Sequence, residues 1–136
     1  MLKLSKKIDY GLMAISHIAY HDDKKIVNTK RIAEEYDIPL ELLAKILQKM
    51  AKEGLIVSQN GPKGGYVLAK SPQEITVGEV VKAIEGPIEL VDCFRRDEVN
   101  CQQIGRCSVR TPIRRIQGRI AQLLDSITIE QIARWP

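Results

Sequence analysis

A chain of 136 residues with 44% hydrophobic side chains suits one ordinary domain with a single core and apolar material left for a dimer interface, and excludes two independent domains. No window of about 18 apolar residues exists, and the lysine-bearing start lacks the continuous apolar run of a secretion signal, so a cytoplasmic protein without a membrane partner is expected. The formal net charge of +4 lies entirely in the first half: residues 1–70 hold twelve Lys/Arg against eight Asp/Glu, whereas residues 71–136 hold nine of each, a bias that suits nucleic acid and also an ordinary solvated surface.

Ile8, Leu12, Ile15, Ile18 and Ala19 recur at three- and four-residue intervals and predict a first helix with one buried stripe. A second helix starts from a cap at Asn28 or Thr29 and carries Ile32, Ala33 and Tyr36 to a corner at Asp37, Ile38 and Pro39. With Pro39 in its first turn, a third helix places Leu43, Ile46, Leu47 and Met50 on one face and stops at Gly54, suited to a left-handed cap. From Leu55 the period changes. Residues 55–58 and 66–69 read as short strands joined by a glycine- and proline-rich hairpin.

Two helices joined by a short corner and followed by such a hairpin make a winged helix-turn-helix, whose second helix enters the major groove of DNA. With its apolar face turned inward, the third helix leaves Glu41, Lys45, Gln48, Lys49 and Lys52 outside. Glu41, Lys45 and Gln48 suit cytosine, guanine and adenine edges, and Lys49 and Lys52 suit phosphates. Asn60 and Lys63 in the hairpin would reach the neighbouring groove or backbone.

Ser71 and Pro72 interrupt the pattern, and Thr76 to Glu79 reads as a capping box opening a helix through Val80, Val81 and Ile84 that stops at Gly86 and Pro87. Further on, Thr111 caps and Pro112 begins a helix carrying Ile113, Ile116, Ile120, Leu123 and Ile127 in heptad register, the pattern of a dimer seam. A second capping box at Thr128 to Gln131 opens a last turn carrying Ile132. The expected fold is mainly α with a small β-hairpin: a winged helix-turn-helix over residues 1–75, then a cysteine loop and long dimerisation helix over 76–136, in one compact domain.

Between these parts lie the only cysteines, Cys93, Cys101 and Cys107, in a 15-residue polar stretch without apolar periodicity. The spacing lacks the paired C-x2-C knuckles of most structural zinc sites, and an odd number cannot close as disulfides within the chain. An iron-sulfur cluster with one non-cysteine ligand fits; a three-cysteine zinc site or redox-active thiols remain open. A reducing compartment would keep the thiols available. No acidic residue occurs from Val99 to Leu124, whereas Arg106, Arg110, Arg114, Arg115 and Arg119 do. A negative group nearby is expected, either a thiolate-bound cluster or acidic residues of a partner subunit.

Several motifs follow one another in order: Leu4, Ser5 and Lys6 with Asp9 and Tyr10; Ile32, Ala33, Ile38 and Pro39; Gly54 and Leu55; Gly61 through Leu68; Ile75 through Val80; and the three cysteines. In that order the chain resembles the Rrf-type, IscR/NsrR-like, bacterial winged-helix iron-sulfur transcription regulators, over nearly its whole length. The resemblance implies a homodimer on a palindromic operator in double-stranded DNA. It also implies a cluster, 2Fe-2S or 4Fe-4S, that controls which operators are bound or how tightly. IscR-like members place a histidine ligand three residues beyond the third cysteine, where this chain has Arg110. NsrR-like members recruit an acidic residue near the N-terminus of the partner subunit, and Asp9 matches that position; carboxylate is a competent iron ligand. Nitric oxide, oxygen and iron supply are all compatible signals. The competing readings keep the DNA-binding dimer with a zinc or thiol-redox site, or make the chain a small iron-sulfur electron carrier, which leaves the reading helix and wing unexplained. With no nucleophile-base arrangement or phosphate loop, an enzyme is not expected.

Overall fold

The apolar stripe of the first helix is what the rest of the chain is built around. In the computed structural model, which describes residues 2–20, 26–61, 64–94, 101–103 and 105–135, that stripe forms α1 (Lys6–Tyr20), with Ile8, Ala14, Ile15 and Ile18 buried and Leu12 and Ala19 packed partly against the core. The exposed Asp9 lies in its first turn. Gly11 permits the closest approach: a side chain there would run into Ile84 and meet Ile46 at 3.4 Å. His17 is 3% exposed, its Nδ1 2.9 Å from the Tyr36 hydroxyl, which makes it a packing residue; His21 lies outside the described residues.

Asn28 caps α2 (Thr29–Tyr36) by accepting from the Lys30 amide at 2.8 Å. The corner turns at Asp37, whose φ of 53° is left-handed, a conformation Asp tolerates better than most residues. The third helix, α3 (Leu40–Lys52), places Pro39 at its N-cap, one step before the expected first turn. It buries Leu43, Ile46, Leu47 and Met50 and is followed by Gly54 at φ 79°. β1 (Ile56–Gln59) and β2 (Gly65–Leu68) pair antiparallel with Ile56 opposite Leu68 and Gln59 opposite Gly65. Each strand is displaced one residue from its expected position, although Ala69 still donates to the Leu55 carbonyl at 3.0 Å beyond the ladder end.

Thr76 caps α4 (Val77–Glu85) through the Glu79 amide at 3.1 Å. The expected return bond of a capping box is replaced: the Glu79 carboxylate pairs with Lys70 at 2.6 Å. A 3₁₀ turn, Asp92–Phe94, precedes α5 (Arg110–Asp125). That helix starts from Val109, not Thr111, and its first bond runs from the Ile113 amide to the Val109 carbonyl at 2.9 Å. Pro112 is accommodated in the first turn, where a missing N–H costs nothing. Because α5 ends at Asp125, Ile127 falls outside the expected heptad; it packs on the protein's own core, and its carbonyl accepts from Val77 at 2.8 Å. The second capping box is complete at Thr128 and opens α6 (Ile129–Arg134), which buries Ile129. The Ile129 amide donates to the Ile75 carbonyl at 2.9 Å, tying the chain end to the start of α4. One apolar cluster therefore runs from Ile8 to Ile129.

Candidate nucleic-acid interface and cysteine segment

Burial of one face of α3 determines what its other face offers. Glu41, Lys45, Gln48, Lys49 and Lys52 are exposed along it, as expected from their spacing. A groove of about 560 Å³ opens beside them, between the start of α2, α3 and the wing. Asn28, Thr29 and Lys30 line one wall, Gln48 the floor, and Gln59, Asn60 and Tyr66 the other wall. The α2 residues were not singled out in the sequence as site residues; Asn28 was legible only as a cap, and its place beside the wing follows from the tertiary fold.

The wing is held there by backbone bonds. The Val27 amide donates to the Tyr66 carbonyl at 3.1 Å and the Tyr66 amide to the Val27 carbonyl at 2.9 Å, an antiparallel bridge that fastens β2 to the approach of α2. Gly65 makes this approach possible, since a side chain there would collide with the Val27 carbonyl. Asn60 is exposed at the wing end. Lys63 lies outside the described residues.

Lys49 has a further partner. Its ammonium donates to the Ile84 carbonyl at 3.2 Å, in the last turn of α4, so the cation expected on a phosphate is engaged with a neighbouring helix.

Beyond α4 the chain turns at Gly86, φ 83°, and is pinned to α5 where the Leu90 amide donates to the Gln117 carboxamide oxygen at 2.9 Å. Cys93 follows, half-buried in the 3₁₀ turn, while Cys101 and Cys107 are exposed; all three are free thiols. Arg114 lies over the ring of Phe94, 5.0 Å from its centroid, which carries a cation beside Cys93. Arg110, three residues beyond Cys107, has a buried Nε without a hydrogen-bond partner among the described residues. Free thiols flanked by these guanidiniums suit, in donor chemistry and charge, an anionic thiolate-bound metal group. Among the described residues, however, no three His, Cys, Asp or Glu side chains converge to hold a metal ion. Asp9 is exposed in the first turn of α1.

Of the expected seam, Ile116 and Leu123 are 51% and 59% exposed on α5, Ile113 is half-buried, and Ile120 lines an apolar groove of about 650 Å³ with Leu4, Ile8 and Ile88. No helix of the described residues is long and apolar enough to cross a membrane.

A helix-turn-helix whose outer helix is exposed beside a backbone-anchored wing defines a winged-helix DNA-binding regulator. The chain belongs to the Rrf2 family, described as iron-dependent transcriptional regulators, which it matches over residues 4–134. It is 32% identical over 131 residues to the HTH-type transcriptional regulator NsrR of Shouchella clausii, covering 96% of this chain and 88% of that protein. With the HTH-type transcriptional regulator IscR of Pectobacterium carotovorum it shares 33% identity over 131 residues, 96% of this chain and 79% of the other. The structure of CymR, the global cysteine regulator of B. subtilis, superposes with a TM-score of 0.77 at 31% identity, covering 100% of this chain and 99% of that one.

Proposed function

We propose that this transcriptional regulator is a cytoplasmic homodimer that binds a palindromic operator, with its affinity set by an iron-sulfur cluster on Cys93, Cys101 and Cys107. The observation that carries the reading is three free thiols in one segment that leaves the end of α4 and is flanked by Arg110 and Arg114. Glu41, Lys45 and Gln48 address base edges, and Lys52, Asn60 and Lys63 address the backbone. The exposed apolar residues of α5, Ile116 and Leu123, meet their counterparts in the partner, with Ile113 and Ile120 beside them.

Bound to these thiolates, a cluster supplies a group whose loss or oxidation alters the charge and geometry of the segment. Among the described residues no three donors converge, and three thiolates leave a fourth ligand to be supplied; Asp9 of the partner subunit is our assignment. Leu90 is tied to Gln117 and Phe94 to Arg114, both on α5, so a change at the thiols would be passed to the exit of α4.

A second reading has a specific observation in its favour, the likeness to a cysteine regulator over the whole chain. In it the same thiols act without a cluster, as redox or ligand-responsive groups. Anaerobic purification followed by an ultraviolet-visible spectrum and iron and sulfide counts tests the two. Visible absorption with matched iron and sulfide supports the cluster. A colourless protein without either, after anaerobic reconstitution, rejects it in favour of the thiol reading.

A further inference from the structure

The last two residues of α4 are held from two sides. A helix leaves its final carbonyls without intrahelical partners, and each needs another donor. The Gly86 amide donates to the Lys82 carbonyl at 2.9 Å, while the Ile84 carbonyl accepts from Lys49 at 3.2 Å. A cation at this end is also favoured by the helix dipole. From the other side, the Ser5 hydroxyl donates to the Glu85 carboxylate at 2.7 Å, just before α1 and Asp9. The chain then leaves through Gly86 toward Cys93.

Lys49 is exposed like Lys45, Gln48 and Lys52 on the same helix, but lies at the edge of their row, where its ammonium reaches α4. The bond to a carbonyl 35 residues away uses one of the three donors of the Lys49 ammonium and draws its head toward the end of α4. Its bond does something a phosphate contact does not: it fixes the rotation of α3 against the helix from which the cysteine segment departs.

Resting on the reading of α3 as the DNA-binding helix, we propose that Lys49 is a positioning residue that sets the angle of the recognition helix from the end of α4. On this proposal its contribution to affinity comes through the orientation of α3 and not through a phosphate contact. Two modes of action leave different marks on salt dependence. Each phosphate contact contributes about 0.9 to the log-log slope, so its loss in both chains of a dimer lowers the slope by about 2. A residue that orients the helix changes affinity while leaving the number of released counterions unaltered.

The test uses the full-length protein and a duplex selected by the wild-type protein from a random-sequence pool, titrated by fluorescence anisotropy between about 50 and 200 mM salt. Lys49→Met, which retains the aliphatic stem, is expected to weaken binding about tenfold at every salt concentration with the wild-type slope, a loss of about 1.4 kcal/mol. Lys49→Arg, which keeps a donor for Ile84, should restore affinity. Lys52→Met serves as the phosphate control and should lower the slope by about 2. A fall in slope for Lys49→Met like that of Lys52→Met would overturn the proposal, as would wild-type affinity and slope in Lys49→Met alongside an impaired Lys52→Met. If Lys49→Met and Lys49→Arg are equally weak at unchanged slope, the bond to Ile84 is not the cause and the proposal also fails. A protein that selects no duplex would instead remove the reading on which it rests. Circular dichroism spectra matching wild type ensure that folded protein is compared.

Discussion

Replacing Gly65 by alanine should detach the wing while leaving the helical core folded. The glycine is required for space and not for an unusual backbone angle: an added methyl would collide with the Val27 carbonyl oxygen and lie 2.6 Å from its carbon and 2.9 Å from Ile26 Cγ2. Ordinary contact begins near 3.4 Å, so the two segments must part by at least about 0.8 Å. The bridge bonds of 2.9 and 3.1 Å would then stretch to at least about 3.7 and 3.9 Å, beyond hydrogen-bonding distance. Two lost backbone bonds, each worth about 0.5–1.5 kcal/mol net, predict a destabilisation of about 1–3 kcal/mol. Urea unfolding measures the total, and hydrogen exchange of the Val27 and Tyr66 amides shows whether the opening is local. DNA affinity should fall with it, since the groove loses one wall. Wild-type stability with both amides still protected would refute the packing argument at Gly65.

Thr128→Ala removes the N-cap of α6, whose hydroxyl accepts from Gln131 at 3.2 Å; thermal unfolding should show a loss of about 1 kcal/mol. Leu123→Asp places a carboxylate on an exposed position of α5, so the chain should keep its helical circular dichroism yet sediment as a monomer; an intact dimer would remove Leu123 from the interface. Gln48→Ala should relax preference at one base position in a selection experiment without changing the salt slope, whereas unchanged preference would take Gln48 out of base reading.

The fold was legible wherever local chemistry and packing agree. The stripes of α1 and α3, the cap at Asn28, the turn at Gly54 and the second capping box all follow from spacing and residue type. The departures come from tertiary partners. Glu79 turns to Lys70 because that cation lies within reach across the chain. The start of α5 slips to Arg110 because proline fits throughout a first helical turn, so its position alone does not fix the boundary. Ile127 continues a heptad in sequence but lies beyond the helix, drawn into the core by the pairing of Thr76 with Thr128. At the candidate site, the outward row of α3 could be read from periodicity. The engagement of Lys49 could not, since it depends on a carbonyl 35 residues away. Nor could the wall supplied by Asn28, Thr29 and Lys30, which exists only once the Val27 bridge brings the wing beside them.

The central claim is that the chemical state of the cysteine segment governs DNA binding. The direct measurement is the affinity for one selected duplex, titrated anaerobically with the same preparation before and after removal of its bound metal and sulfide. Control by the segment requires at least about a tenfold difference between the two states, equivalent to about 1.4 kcal/mol. That difference should vanish when Cys93, Cys101 and Cys107 are all replaced by alanine. Equal affinities in a preparation shown to carry the cluster would contradict the claim.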